Sequence, residues 1–139
     1  MTPRLKTASA DRAEAALHLA KAEQFLDVAR AALIDRRHDA GMLTAIHAGI
    51  SAADAVAIAL AGVRSADPDH GRAAALLEQV AGQSDIVRTR ARQLRMLIEK
   101  KNAVEYESRR ASADEAVQAV ERAHRIVSWA REAVDNGRF

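Results

Sequence analysis

Four side chains that could recognise a phosphate or move a proton lie within six residues of one another. They are Lys101, Asn102, Glu105 and Tyr106. An apolar stripe that ends at Ile98 continues, at helical spacing, to Lys101 and Asn102, so a predicted apolar face turns polar there. Tyr106 follows Asn102 by four residues, and the two meet if the helix persists. The alternative interpretation is helix termination, with a lysine at the negative helix end, an asparagine cap and a tyrosine lid over the core.

A second polar set lies in the most apolar stretch of the chain. His47, Ser51 and Asp54 are spaced i, i+4 and i+7, so they share one face of a predicted helix. The favoured interpretation is an internal hydrogen-bonded set that fixes helix packing, because buried polar groups must satisfy one another. The alternative is the wall of a pocket, with Asp54 raising the basicity of His47.

A basic helix face precedes the first set. Arg88, Arg92 and Arg95 share one face at helical spacing. Residues 84–110 carry eight basic and four acidic side chains, although the whole chain has a formal charge of only +2. Such a face could follow a phosphate backbone, and the alternative is an ordinary solvated surface.

Several kinds of chemistry are excluded or disfavoured. The chain has no cysteine, which rules out disulfides, thiolate catalysis and cysteine-ligated metals. It contains no dinucleotide-binding glycine motif, P-loop, HExxH or EF-hand sequence, and its five histidines are scattered singly. We therefore expect no cofactor and no metal site.

The elements that must position these residues are all predicted to be helices. Alanine, leucine, glutamate and arginine dominate, and no alternating stretch indicates a strand. The first helix is expected to begin near Ser9, with Leu17, Phe25 and Val28 in its apolar stripe, and to end before Gly41 in a left-handed C′ position. The other helices are expected at Met42 to about Ala61, at Arg72 to Val80, from the cap Ser84, and from the capping box at Ser112 to about Asn136. Residues 1–8 are expected to form a flexible N-terminus, and 103–111 an irregular connection.

This pattern predicts an all-α, up-and-down bundle of four longer helices plus one short helix, in a single domain over residues 1–139. The stretch from Met42 to Val63 has one charge, Asp54, and is nearly long enough to cross a membrane. A helix buried in a bundle has a similar composition, so we expect no membrane span. The first residues lack the apolar core of a secretory signal, and a cytoplasmic location is expected. The alanine-rich faces make a thin core that a partner chain could complete.

The segments AIHAGISAADAV and LRMLIEKKNAVEYE, followed by a capped last helix, resemble the HEPN superfamily. The resemblance runs from the first predicted helix to the last and implies a small, usually dimeric, all-α protein. Many HEPN proteins are RNA-cleaving toxins or antiphage effectors, and others only bind or support. Their motif is an arginine, a polar residue that is often asparagine, and a histidine a few positions later. The corresponding residues here would be Lys101, Asn102 and Tyr106.

The departures from that motif bear on chemistry. The resemblance implies a metal-independent cleavage in which a 2′-hydroxyl attacks the neighbouring phosphate, which requires a base and a cation. A lysine can stabilise phosphate charge, but a phenol with a pKa of about 10 is a poor base at neutral pH, where imidazole is suited. We therefore predict a homodimer that binds RNA or a nucleotide at a dimer-interface cleft, with weak or absent ribonuclease activity.

Two alternatives remain open. The first is a non-catalytic helical adaptor or toxin–antitoxin partner that binds another protein. The second is a metal-independent ribonuclease in which His47 or Glu105 supplies the base. The candidate catalytic set is Lys101, Asn102, Tyr106 and Glu105, and the candidate binding set is Arg88, Arg92, Arg95, His47 and Asp54.

Overall fold

A computed structural model describes residues 5–137 and confirms the all-α helical bundle. Four helices have 20 to 24 residues and one has 11, in agreement with the predicted four longer helices and one short helix. They are α1 (Ala15–Ile34), α2 (His38–Ala61), α3 (Gly71–Ala81), α4 (Asp85–Tyr106) and α5 (Ala113–Asn136).

The central element is α2, which packs against each of the other four helices. Alanine and glycine make this possible because small side chains let helix axes approach closely. At Gly49, an added Cβ would lie 2.8 Å from Leu97 Cδ1 of α4, so the two helices meet there with no room to spare. α2 is long and apolar enough to cross a membrane by length and composition, but more than half of its most apolar stretch is buried inside the bundle.

The turn between α1 and α2 corrects the predicted helix boundary. Gly41 does not end α1; it lies inside α2, where its N–H donates to the Arg37 carbonyl. The left-handed residue is Arg36, with φ of 60°. The predicted glycine signal was wrong because a three-residue turn, from Asp35 to Arg37, joins the helices without using the glycine.

A small two-stranded sheet was not predicted. β1 (Thr7–Ser9) pairs antiparallel with β2 (Val63–Ser65), and Ala8 lies opposite Arg64. Ser9 therefore belongs to a strand rather than capping α1, and Asp11 caps a short 3-10 turn instead, accepting from the Ala13 N–H at 2.9 Å. The expected flexibility of residues 1–8 is wrong for Thr7 and Ala8; residues 1–4 lie outside the described part of the chain. Strands of three residues are too short to produce an alternating pattern.

The buried face of α1 also differs from the predicted one. Leu17 is 64% exposed and Val28 is 53% exposed, whereas Phe25 is half-buried. The stripe that faces the core consists mostly of alanine: Ala15, Leu19, Ala22, Leu26, Ala29 and Ala32. Close packing on α2 selects the side of α1 with the small residues, and the larger apolar residues are left outside.

The connection between α4 and α5 is shorter than expected. Residues 103–106 are helical, so α4 continues through Tyr106 and only six residues link it to α5. The connection is fixed to α2 because the Ala111 N–H donates to Asp39 Oδ1 at 2.8 Å. α5 then begins at Ser112 with the predicted capping box, in which Ser112 and Glu115 bond each other's backbone N–H groups.

Candidate functional site

Lys101 and Glu105 lie on the side of α4 that continues its buried stripe. Lys101 follows Leu94 and Leu97 by seven and four residues, and both leucines are buried. The Lys101 ammonium lies 2.8 Å from the Glu105 carboxylate, and each side chain is 20% exposed. Hydrogen bonding from Lys101 lowers the pKa of Glu105, and the neighbouring Tyr106 hydroxyl contributes to the same effect. Glu105 is therefore a carboxylate at neutral pH.

His47 of α2 faces this ion pair. Its ring lies 5.8 Å from the Phe25 ring of α1, between centroids. Burial lowers the pKa of His47, the nearby positive charge of Lys101 lowers it further, and Glu105 acts in the opposite direction. His70, in the residues before α3, also lowers the pKa of His47. The imidazole is thus predominantly neutral at pH 7, with one nitrogen that donates a proton and one that accepts.

The structure therefore brings together three predicted site residues from two helices: His47, Lys101 and Glu105. Only the spacing of Lys101 and Glu105 on one helix was readable in the sequence. The approach of His47 depends on how α2 packs against α4, and His70 was not among the predicted site residues. No pattern in the sequence indicates that His70 lies near His47.

Asp54 takes no part in this cluster. Burial raises its pKa to about 6, and the positive charge of Arg64 in β2 opposes the rise. In residues 5–137, no hydrogen bond joins His47, Ser51 and Asp54, so the favoured hydrogen-bonded set is wrong. The alternative, in which Asp54 raises the basicity of His47, is also wrong, because the pKa of His47 is lowered and the carboxylate that opposes this is Glu105. Seven residues of helix separate Asp54 from His47 by about 10 Å along the axis.

Asn102 and Tyr106 lie on a different side of α4. Both are exposed, Tyr106 to 76%, and they follow Arg95 by seven and eleven residues on the same helix face. The last turn of α4 persists, as contact between them requires. The set of four predicted catalytic residues is thus divided: Lys101 and Glu105 face α2, whereas Asn102 and Tyr106 continue the outer arginine face.

Acidic partners neutralise much of the basic segment. Arg95 pairs with Glu78 of α3 at 2.6 Å, and Glu115 of α5 receives both Arg109, at 2.7 Å, and Lys100, at 3.8 Å. The two acids come from outside residues 84–110, so the local charge of that segment overstates its field. Within the described residues, Arg88 and Arg92 are exposed and have no ion-pair partner.

Within residues 5–137, no group of three or more histidine, cysteine, aspartate or glutamate side chains is arranged to hold a metal ion. The candidate site offers instead one ammonium, one carboxylate and one neutral imidazole. Such a set can bind a phosphate oxygen through Lys101 and can donate or accept a proton through His47.

Compared with known proteins, the chain matches no family model, and no curated protein is significantly similar to it. The HEPN resemblance therefore stays a prediction that rests on the residues quoted above.

Proposed function

We propose that this protein binds RNA or a nucleotide through a phosphate at Lys101, with weak or absent ribonuclease activity. The observation that carries the proposal is the convergence of His47 and Lys101 from different helices on one half-buried cluster. A phosphate oxygen at Lys101 would replace or share its contact with Glu105, and the neutral His47 imidazole would donate a second hydrogen bond. The free arginines, Arg88 and Arg92, give the surrounding surface a positive potential.

The proposal favours binding over cleavage because of where Tyr106 lies. In the HEPN resemblance Tyr106 takes the position of the motif histidine, and its phenol is both a poor base and directed outward with Asn102. The ion pair with Glu105 also reduces the charge that Lys101 can offer to a transition state. Both features weaken catalysis more than binding.

Slow metal-independent cleavage is the second candidate, favoured by His47. A neutral imidazole within electrostatic range of Lys101 is a base of suitable pKa, which Tyr106 is not. Cleavage would leave a 2′,3′-cyclic phosphate and a 5′-hydroxyl. The presence of these ends in the presence of EDTA, and their loss in His47→Ala, would favour this candidate.

The first test is binding of a short fluorescent RNA and of a nucleoside monophosphate to Lys101→Ala. We expect affinity to fall about tenfold or more, because a charge-assisted hydrogen bond to phosphate is lost. Lys100→Ala is the matched control, since it removes the same charge from the adjacent position on a more exposed face. Fluorescence anisotropy at several salt concentrations would show a steep decline in RNA affinity for the wild type.

Equal losses in both variants would mean that the protein attracts RNA only through its general charge. Absence of binding by the wild type at low salt would reject the proposed function.

A further inference from the structure

The cluster at Lys101 is electrically balanced. Lys101 contributes one positive charge and Glu105 one negative charge, and their atoms are 2.8 Å apart. His47, facing both from α2, is predominantly neutral at pH 7. His70 is the other titratable group within electrostatic range of His47, and Phe25 of α1 adds no charge. An arriving anion therefore meets a carboxylate together with the ammonium.

A carboxylate so close to the binding cation distinguishes anions by their charge. Any oxyanion that reaches the Lys101 ammonium comes within a few ångströms of Glu105, and the repulsion is proportional to the ligand's charge. A phosphodiester carries one negative charge. A terminal phosphate monoester carries between 1.5 and 2 at pH 7, on the general scale for phosphate groups with a second pKa of about 6.

We propose that Glu105 is a specificity-determining residue that makes this site select a singly charged phosphodiester over a doubly charged phosphate monoester. The proposal rests on the proposed function and narrows it: the ligand is an internal backbone phosphate of RNA rather than a free mononucleotide. Lys101 binds the phosphate, and Glu105 penalises the second charge. The half-buried position of both side chains reduces the screening that would otherwise erase the difference.

The test compares two ligands of similar base content. One is a uridine dinucleoside monophosphate with a 2′-deoxy first sugar, which contains one uncleavable diester, and the other is uridine 5′-monophosphate. In the wild type we expect tighter binding of the diester by calorimetry at pH 7.5. In Glu105→Gln we expect the affinity for the monoester to rise about tenfold and that for the diester about threefold, because the removed repulsion scales with charge.

Glu99→Gln is the matched control. It removes the same charge from an exposed position on α4 that forms no ion pair within residues 5–137. We expect it to change neither affinity by more than about twofold. Lowering the pH toward 5.5 should strengthen monoester binding by the wild type as the phosphate gains its second proton. The diester serves as the reference for any gain caused by protonation of His47 or His70.

Equal gains for both ligands in Glu105→Gln would overturn the proposal, since Glu105 would then only cover Lys101. Tighter binding of the monoester by the wild type would overturn it as well. Failure of the proposed function has a different result: neither ligand binds the wild type, and Lys101→Ala is indistinguishable from it.

Discussion

At the scale of single residues, neighbours outside the local sequence decide what each ionisable group does. Lys101 and Glu105 could be paired from their spacing alone, since i and i+4 side chains meet on a helix. The partner of Arg95 is Glu78, in a different helix, and that of Lys100 is Glu115. Charge counting along the chain therefore predicted the basic segment but not its neutralisation.

Asp54 gives a prediction at this scale. Its pKa is raised by burial to about 6, so the folded state holds a proton that the unfolded state releases near pH 4. The unfolded state binds fewer protons between pH 4 and 6, and stability falls as pH rises through that window. Asp54→Asn should remove this penalty and raise the free energy of unfolding at pH 7 by up to about 3 kcal/mol.

Thermal melts followed by circular dichroism at pH 4 and pH 7 would check this expectation. The variant and the wild type should differ little at pH 4, where Asp54 is protonated in the folded state. A variant that is less stable at pH 7 would contradict the expectation and would indicate that the interaction with Arg64 outweighs burial.

At the scale of elements, the two serine caps differ in how completely they satisfy a helix start. Ser112 accepts from the Glu115 N–H at 3.1 Å, while the Glu115 carboxylate accepts from the Ser112 N–H and holds Arg109. Hydrogen bonding to Arg109, with that from Ser112, lowers the pKa of Glu115 to about 2. Ser84 caps α4 through a single contact of 3.4 Å to the Val87 N–H.

We expect Ser112→Ala to cost about 1 kcal/mol of stability, and Ser84→Ala to cost less. Urea unfolding of both variants, with a common slope, would measure the difference. A larger loss for Ser84→Ala would show that the reciprocal cap adds nothing to α5.

The same elements show how far the sequence could be interpreted. The capping box at Ser112 and the cap at Ser84 were predicted because their signals are local and need no tertiary contact. The start of α2 and the strand at Thr7–Ser9 were not, because a left-handed arginine and a pairing over more than fifty residues produce no local pattern. For the site, the α4 residues were predicted, but the contribution of His47 depends on helix packing.

At the scale of the whole molecule, the exposed side of α1 bears on oligomeric state. Leu17 and Val28 are eleven residues apart, so they share one helix face, and both are more than half exposed. In the proposed homodimer this face packs against a second copy. The dimer-interface cleft stays a proposal with it.

Val28→Lys should then convert a dimer to a monomer, because an ammonium cannot be buried unpaired at an apolar contact. Light scattering at micromolar concentration would measure the mass. Val117→Lys is the control, since Val117 of α5 is 43% exposed and carries the same substitution on another helix. A wild type that is monomeric throughout the concentration range would reject the homodimer.

The central place of α2 has a consequence for how the bundle comes apart. Every other helix packs on α2, and Gly49 lets α4 approach it without space for one more methyl group. The molecule thus has no second core to which a subset of helices could retreat. Its unfolding is expected to be a single cooperative event, with the candidate cluster lost at the same moment as the alanine core.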